Sequence, residues 1–144
     1  MSISLAEAND VLQSVFCDWV KQMELRATDI DGDRVRFLMP AADQFMRFGE
    51  TLSGQAAMAI ADTAMTVTLA NALGGFKPVG TVDVSVSFMR PIPAGDIVCE
   101  GSILRLGRTM GFCQAVLRAA GDERAAIQVT GTYAIPPAAS VKNG

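Results

Sequence analysis

Histidine is absent from the 144 residues of this chain. Its absence excludes Ser-His-Asp and Cys-His nucleophilic sites, histidine general bases and metal centres with imidazole ligands. Any acid–base chemistry must therefore use a carboxylate, a lysine, a tyrosine or a cysteine.

Charged residues are also scarce. They make up 19% of the chain, and 12 basic residues against 15 acidic ones give a net charge of −3. Without a basic surplus the chain has little means of following a phosphate backbone, so nucleic acid is not an expected partner. Half of the residues are hydrophobic. This length and composition predict one packed domain over residues 1–144.

The three cysteines, Cys17, Cys99 and Cys113, have spacings that match no metal or redox motif. We interpret them as buried thiols in a reducing compartment. The N-terminus lacks the basic region of a signal peptide, and the longest apolar stretch, residues 51–76, contains Asp62, which argues against a membrane span. The sequence thus predicts a cytoplasmic protein without a metal site and without a membrane partner.

The hydrophobic periodicity predicts an α+β domain with an antiparallel sheet. An N-terminal helix over about 4–22 begins at the capping-box pair Ser4 and Glu7, and a hairpin follows with strands at 25–29 and 35–39. A second helix, 53–73, is rich in alanine and apolar on nearly every face, so it should be buried. The remaining segments are predicted as strands at 80–88, 97–106, 110–119 and 125–135, and a loose tail at 136–144.

Asp62 is the only charged residue between positions 51 and 76, and it lies in the middle of the second helix. Burying a lone carboxylate costs free energy unless it is hydrogen-bonded or paired. Asp62 therefore either fixes the fold by bonding another segment, or acts as a base or nucleophile in a cleft.

The same helix begins at Ser53-Gly54-Gln55. The first amides of a helix have no intrahelical partners and carry the positive end of its dipole, so they can hold an oxyanion. Gly54 would let a substrate come close. It precedes Asp62 by eight residues, or about 12 Å of helix rise. Either a substrate bridges two chains, touching Gly54 of one and Asp62 of the other, or Asp62 is structural.

Several short motifs occur in a specific order. They are Ser-Gly nine residues before the aspartate of Ala-Asp-Thr-Ala (61–64), Ser-Phe-Met-Arg-Pro (87–91), Pro-Ala-Gly-Asp (93–96), Leu-Gly-Arg-Thr (106–109) and Thr-Gly-Thr-Tyr-Ala (130–134). Over about residues 25–136 the chain resembles hotdog-fold thioesterases of the PaaI (phenylacetate-degradation) type. The resemblance implies an antiparallel sheet wrapped around the helix 53–73. It also implies a homodimer or homotetramer with interface sites, and hydrolysis of acyl-CoA thioesters without a metal or cofactor, coenzyme A being part of the substrate.

The resemblance also implies roles for individual residues. Asp62 matches the family's acidic residue, Gly54 its carbonyl-polarising amide, and Thr66 its water-positioning hydroxyl. Thr81 matches a hydroxyl at the start of the following strand.

The chain departs from the family pattern around the start of the helix. Ser53-Gly54-Gln55 stands in place of the usual His-Gly-Gly, so this is a Ser-Gly variant, and Arg47 replaces an Asn or Gln. We expect Ser53 to replace the histidine as a helix cap. Gln55 keeps its backbone N–H but narrows the pocket.

Two arginines allow two interpretations. Arg90 and Arg108 could bind the phosphates of coenzyme A, or be ordinary solvated charges at strand ends. Phe16 and Trp19 are expected to pack the first helix onto the sheet edge, and Tyr133 is interpreted as an ordinary strand residue.

The alternative function is a non-catalytic protein of the same fold that binds acyl-CoA or another small apolar ligand. A hydratase is disfavoured because hotdog hydratases rely on a histidine.

Overall fold

The computed structural model describes residues 2–137. Its helices are α1 (Leu5–Ser14), α2 (Asp18–Lys21) and α3 (Gly54–Leu73), with a 3-10 turn at Asp43–Phe45. Its strands are β1 (Arg26–Asp31), β2 (Arg34–Met39), β3 (Met46–Arg47), β4 (Thr51–Leu52), β5 (Gly80–Phe88), β6 (Ile97–Leu106), β7 (Met110–Ala119) and β8 (Ile127–Ala134).

The long helix α3 has the ends that its sequence predicts. The Ser53 hydroxyl accepts a hydrogen bond from the backbone N–H of Ala56, and Gly74 ends the helix in the left-handed region with φ +79°. Twelve of its residues are buried. The helix is long and apolar enough to meet a length-and-composition test for a membrane span, but 67% of the tested window is buried inside the fold.

Six strands form one antiparallel sheet in the order β1-β2-β6-β7-β8-β5. The helix α3 packs against five of these strands, β2, β5, β6, β7 and β8. The sheet therefore wraps around a central helix. This is the hotdog architecture within the α+β class, and the predicted fold is confirmed.

Close approach of α3 to the sheet depends on glycines in the strands as well as on alanines in the helix. A Cβ atom built on Gly101 would overlap the Thr68 hydroxyl, and one built on Gly131 would lie 2.8 Å from the Met65 methyl. Gly111 faces Leu69 at 2.7 Å in the same way. At Gly131 and Gly111 the facing helix atoms are the ends of flexible side chains, which can shift, whereas a side chain at Gly101 would press on the short Thr68 side chain and push the helix off the sheet.

Gly101→Ala should therefore lower the free energy of unfolding by about 1–3 kcal/mol. The Thr68 hydroxyl cannot move freely, because it donates to the carbonyl of Ala64 at 2.8 Å. Gly80→Ala is the matched control, since a Cβ there meets no atom within 4 Å. Urea denaturation measures both. The double variant Gly101→Ala/Thr68→Ala should recover part of the loss, and equal stability of the two single variants would contradict the packing argument.

The predicted N-terminal helix is wrong in its extent. The capping box of Ser4 and Glu7 is present, but the helix ends at Ser14, and the separate short helix α2 begins at Asp18. The cysteine prediction is wrong for Cys17, which is exposed in the break between the helices. Cys99 and Cys113 are buried as predicted, and burial raises the pKa of the Cys113 thiol to about 12.

Two asparagines fasten the N-terminal segment to the domain. The buried Asn71 of α3 accepts from the backbone N–H of Ile3 at 3.1 Å and donates to the carbonyl of Gly32 at 2.8 Å. Asn9 of α1 makes two hydrogen bonds with the backbone of Ala27 in β1, at 2.9 and 3.0 Å. Both asparagine side chains thus satisfy backbone N–H and C=O groups that would otherwise have no hydrogen-bond partner in the protein.

The strand β5 has the predicted bounds but not the predicted alternation. A register shift between Thr81 and Asp83 interrupts its pairing with β8. Val84 and Val86 pack on the core, whereas Val82 and Phe88 are 58% and 56% exposed. The last strand is also shorter than predicted, and residues 138–144 of the predicted loose tail lie outside the described residues.

Candidate active site

Asp62 projects from the middle of α3, and two hydroxyls hold its side chain. The Tyr133 hydroxyl donates to Oδ1 at 2.7 Å, and the Thr81 hydroxyl donates to the same oxygen at 3.2 Å. Asp62 is half-buried. No hydrogen bond to Oδ2 is found among residues 2–137, so this oxygen is free to meet a water molecule or a substrate.

Tyr133 is the contribution that the sequence analysis missed. Its side chain is fully buried, and burial, followed by the hydrogen bond to Asp62, raises the pKa of the phenol above its ordinary value of 10. The hydroxyl therefore keeps its proton at any working pH and remains a donor to the carboxylate. The predicted strand position was correct, but no local pattern indicated that its partner lies 71 residues earlier in the chain.

Thr66 lies one turn after Asp62 on the same helix. Its hydroxyl donates to the backbone carbonyl of Asp62 at 3.0 Å. Its proton is thus directed at the protein, and its oxygen can still accept a hydrogen bond.

An apolar cleft of about 420 Å³ opens beside Asp62. Short helix α2 and the chain before it form one wall, and α3 and β5 form the other. The lining residues are Phe16, Cys17, Trp19, Val20, Gln55, Met58, Ala59, Asp62, Thr63 and Val84. Phe16 and Trp19 therefore line a cleft instead of only packing a helix onto the sheet edge, and Trp19 is 52% exposed.

A second groove, of about 440 Å³, lies at the first turn of α3. Gly54 lines it together with Arg47 and Arg90, and no acidic side chain contributes to its wall. A Cβ atom on Gly54 would meet only the ring of Phe88, at an ordinary contact distance of 3.5 Å. Neither the backbone conformation nor packing within the chain requires glycine at position 54. We therefore interpret Gly54 as keeping the groove accessible to a substrate.

The two candidate regions lie at opposite ends of β5. Gly54 neighbours Phe88 at the end of that strand, whereas Asp62 bonds Thr81 at its start. Helix α3 and strand β5 thus run in opposite directions, and one chain does not bring Gly54 and Asp62 to a common point. This agrees with the helix-rise argument.

The other predicted residues divide between these regions. Arg47 and Arg90 line the Gly54 groove, but each guanidinium also donates to a backbone carbonyl, at 3.1 Å in both cases. Gln55 lines the Asp62 cleft. Ser53 acts as the helix cap, and Arg108 is exposed in the turn between β6 and β7, towards the Thr81 end of the sheet. Residues 2–137 contain no group of three or more Cys, Asp or Glu that could hold a metal ion.

Comparison with known proteins gives one consistent answer. The model of the thioesterase superfamily matches residues 49–126. A protein of Thermoplasma acidophilum, provisionally named an esterase, is 26% identical over 81% of this chain and 87% of its own length. Zebrafish thioesterase superfamily member 2 superposes with a TM-score of 0.83 at 21% identity, covering 94% of this chain and all of that one. A structure from Silicibacter sp. TM1040, provisionally named a thioesterase, gives a TM-score of 0.80 at 25% identity over 94% and 93% of the two chains.

The matched segment spans more than half of the chain and includes Gly54, Asp62, Thr66 and Thr81. This segment contains the helix that carries the single carboxylate and part of the sheet that wraps around it. The chain belongs to the thioesterase superfamily, and its relatives support thioester hydrolysis as the general reaction.

Proposed function

We propose that this protein hydrolyses acyl-CoA thioesters and belongs to the PaaI-type, Ser-Gly branch of its superfamily. The observation that carries the proposal is the state of Asp62. Its carboxylate faces an apolar cleft, one oxygen is held by two hydroxyl donors, and the other is free. An aspartate held only to fix the fold would not need an open cleft beside its free oxygen.

The reaction can follow two routes. In the first, Asp62 takes a proton from water, whose oxygen attacks the thioester carbonyl. The C–S bond then breaks, and the thiolate leaves and is protonated. In the second, Asp62 attacks the carbonyl itself and forms a mixed anhydride that water hydrolyses. In both, the Gly54 amide stabilises the oxyanion and Thr66 positions the water. A thiolate is a good leaving group, so neither a strong general acid nor a metal is required.

The proposed active unit is a homodimer. Strand β5 pairs with β8 on one side, and no strand of residues 2–137 covers its other edge. Exposed apolar side chains, among them Val82 and Phe88, lie along it. If two copies join β5 to β5 about a twofold axis, the Phe88 end of one strand meets the Thr81 end of the other. Gly54 of one copy then approaches Asp62 of the partner, which completes the site.

Arg90 and Arg108 lie near opposite ends of β5. In the proposed dimer, Arg90 and Arg47 from the Gly54 groove and Arg108 from the other copy lie around one site. Guanidinium groups suit the phosphates of coenzyme A. The substrate's charged part would thus bind at the Gly54 groove and its reactive carbonyl would lie between the chains.

The direct test is thiol release from coenzyme A esters of different acyl length and aromatic character. We expect hydrolysis of at least one ester at a rate well above that of the Asp62→Asn variant. Ser53, Gln55 and Arg47 depart from the family pattern. These departures favour the alternative function, which is binding of acyl-CoA or another apolar ligand without catalysis. Saturable binding of acyl-CoA with no thiol release above the Asp62→Asn background would support that alternative and overturn the proposed reaction.

Tyr133→Phe should lower the rate of hydrolysis without unfolding the protein. The phenol hydroxyl donates to Oδ1 of Asp62 at 2.7 Å, so its loss leaves the carboxylate without its buried partner. We expect kcat/KM to fall by about 10- to 100-fold, since a hydrogen bond to a charged group contributes about 1.5–3 kcal/mol. Thiol release and thermal unfolding of the same preparation measure the two effects, and a folded variant with an unchanged rate would mean that Tyr133 serves packing alone.

A further inference from the structure

The cleft beside Asp62 shares part of its lining with a second cavity. This second cavity, about 270 Å³, lies between α1, α2 and β1. Two residues, Val20 and Thr63, line both spaces. They therefore form the partition, Thr63 from the buried face of α3 and Val20 from α2, which is only four residues long.

The chemistry of the cleft limits what it can hold. Apart from the Cys17 thiol, its only ionisable side chain is Asp62, and no lysine or arginine lines it. An acyl group with its own carboxylate would meet the negative charge of Asp62 without a cation to balance it. An uncharged apolar group would be in contact with Phe16, Trp19 and Met58.

The reacting geometry places the acyl group in this cleft. A thioester carbonyl must come within about 3–3.5 Å of the attacking atom. That atom is the free oxygen of Asp62 or a water held by it, and both lie at the cleft wall. The carbon chain that continues from the carbonyl then extends between α2 and α3, towards Val20.

We propose that this cleft is the acyl subsite for uncharged, apolar acyl groups, and that Val20 forms its end wall and limits the length of acyl chain accepted. This inference rests on the proposed function, because it uses Asp62 as the reacting group. A shorter side chain at Val20 would lengthen the cleft at this end, and a larger one would shorten the subsite. The fold thereby assigns substrate selection to a helix that carries none of the proposed catalytic residues.

Val20→Ala and Val20→Phe test the assignment, with straight-chain acyl-CoAs from acetyl to hexadecanoyl as substrates. Val20→Ala should move the optimum of kcat/KM to longer chains and Val20→Phe to shorter ones. Each misplaced methylene changes kcat/KM by about 10-fold or more. Val11→Ala is the matched control: Val11 is also a half-buried valine packed on the core, but it lines neither cavity. The same optimum in all four proteins would overturn the proposal.

A binding measurement separates this inference from the proposed reaction. Trp19 is the only tryptophan in the chain and lies in the cleft. In the Asp62→Asn variant, its fluorescence should change saturably with acyl-CoAs of accepted length and not with coenzyme A alone. The Val20 variants should shift that length dependence as they shift hydrolysis. If these fluorescence changes occur but the unaltered protein hydrolyses no ester, only the proposed reaction is rejected. If no acyl-CoA changes the emission of Trp19, for example because a partner chain fills the cleft, the proposed subsite is rejected.

Discussion

Asp62→Asn should lower kcat/KM for the best acyl-CoA by at least about 100-fold, which is the usual contribution of a positioned base. The amide neither accepts a proton nor attacks a carbonyl well. It can still accept the hydrogen bonds of Tyr133 and Thr81 through its oxygen, so the fold should persist. Thiol release and thermal unfolding, measured on the same preparation, separate the two effects.

The matched control is Asp31→Asn. Asp31 is an exposed aspartate at the end of β1, the edge strand on the opposite side of the sheet from β5, and its replacement removes the same charge. Its hydrolysis rate should stay close to that of the unaltered protein. If Asp62→Asn instead lowered the melting temperature and kept near-normal turnover, the aspartate would be a structural residue, and the catalytic assignment would be wrong.

Gly54→Val should abolish most hydrolysis by blocking the first turn of α3, and it should do so without unfolding the protein. The chain itself leaves room for a Cβ atom there, 3.5 Å from the exposed Phe88 ring. Gly54→Ala should be at least as stable as the unaltered protein, because alanine has the higher helix propensity. A loss of activity in Gly54→Ala would therefore report substrate access and not folding. Full activity of Gly54→Val would refute the oxyanion assignment.

The same variant tests whether two chains build the site. Coexpressed Gly54→Val and Asp62→Asn chains form mixed dimers in which one site carries both changes and the other carries neither. With random pairing by a twofold axis, about a quarter of all sites are intact, so the mixture should regain about a quarter of the normal activity. Activity that does not exceed the sum of the two variants alone would place the whole site within one chain.

Local signals were sufficient for the start of α1, for both ends of α3 and for most of the sheet. Ser4, Ser53 and Gly74 each act through neighbours a few residues away, so their roles can be predicted from short patterns. The isolated charge of Asp62 within an apolar helix indicated the candidate site for the same reason. The strand hairpins followed from turn residues and alternation.

The features that the sequence did not predict depend on contacts between distant segments. The partner of Asp62 is a tyrosine from the last strand, and alternation places that tyrosine in the core without indicating what its hydroxyl bonds. Apolar periodicity continues through Phe16 and Trp19 and therefore predicts a helix that extends past Ser14, whereas these two side chains line a cleft. Exposure of Val82 depends on a register shift between two strands, which no single segment encodes.

The hydrogen bonds of Asn9 and Asn71 have a practical consequence for anyone who expresses this protein. They hold the segment that carries α1 and α2, so they also hold the wall that contains Trp19 and Val20. An affinity tag fused ahead of Ile3 adds mass beside the backbone amide that Asn71 binds. We expect such a tag to alter the chain-length preference proposed for this cleft while leaving Asp62 and its hydroxyl partners untouched. Substrate profiles should therefore be recorded on protein from which any N-terminal tag has been removed.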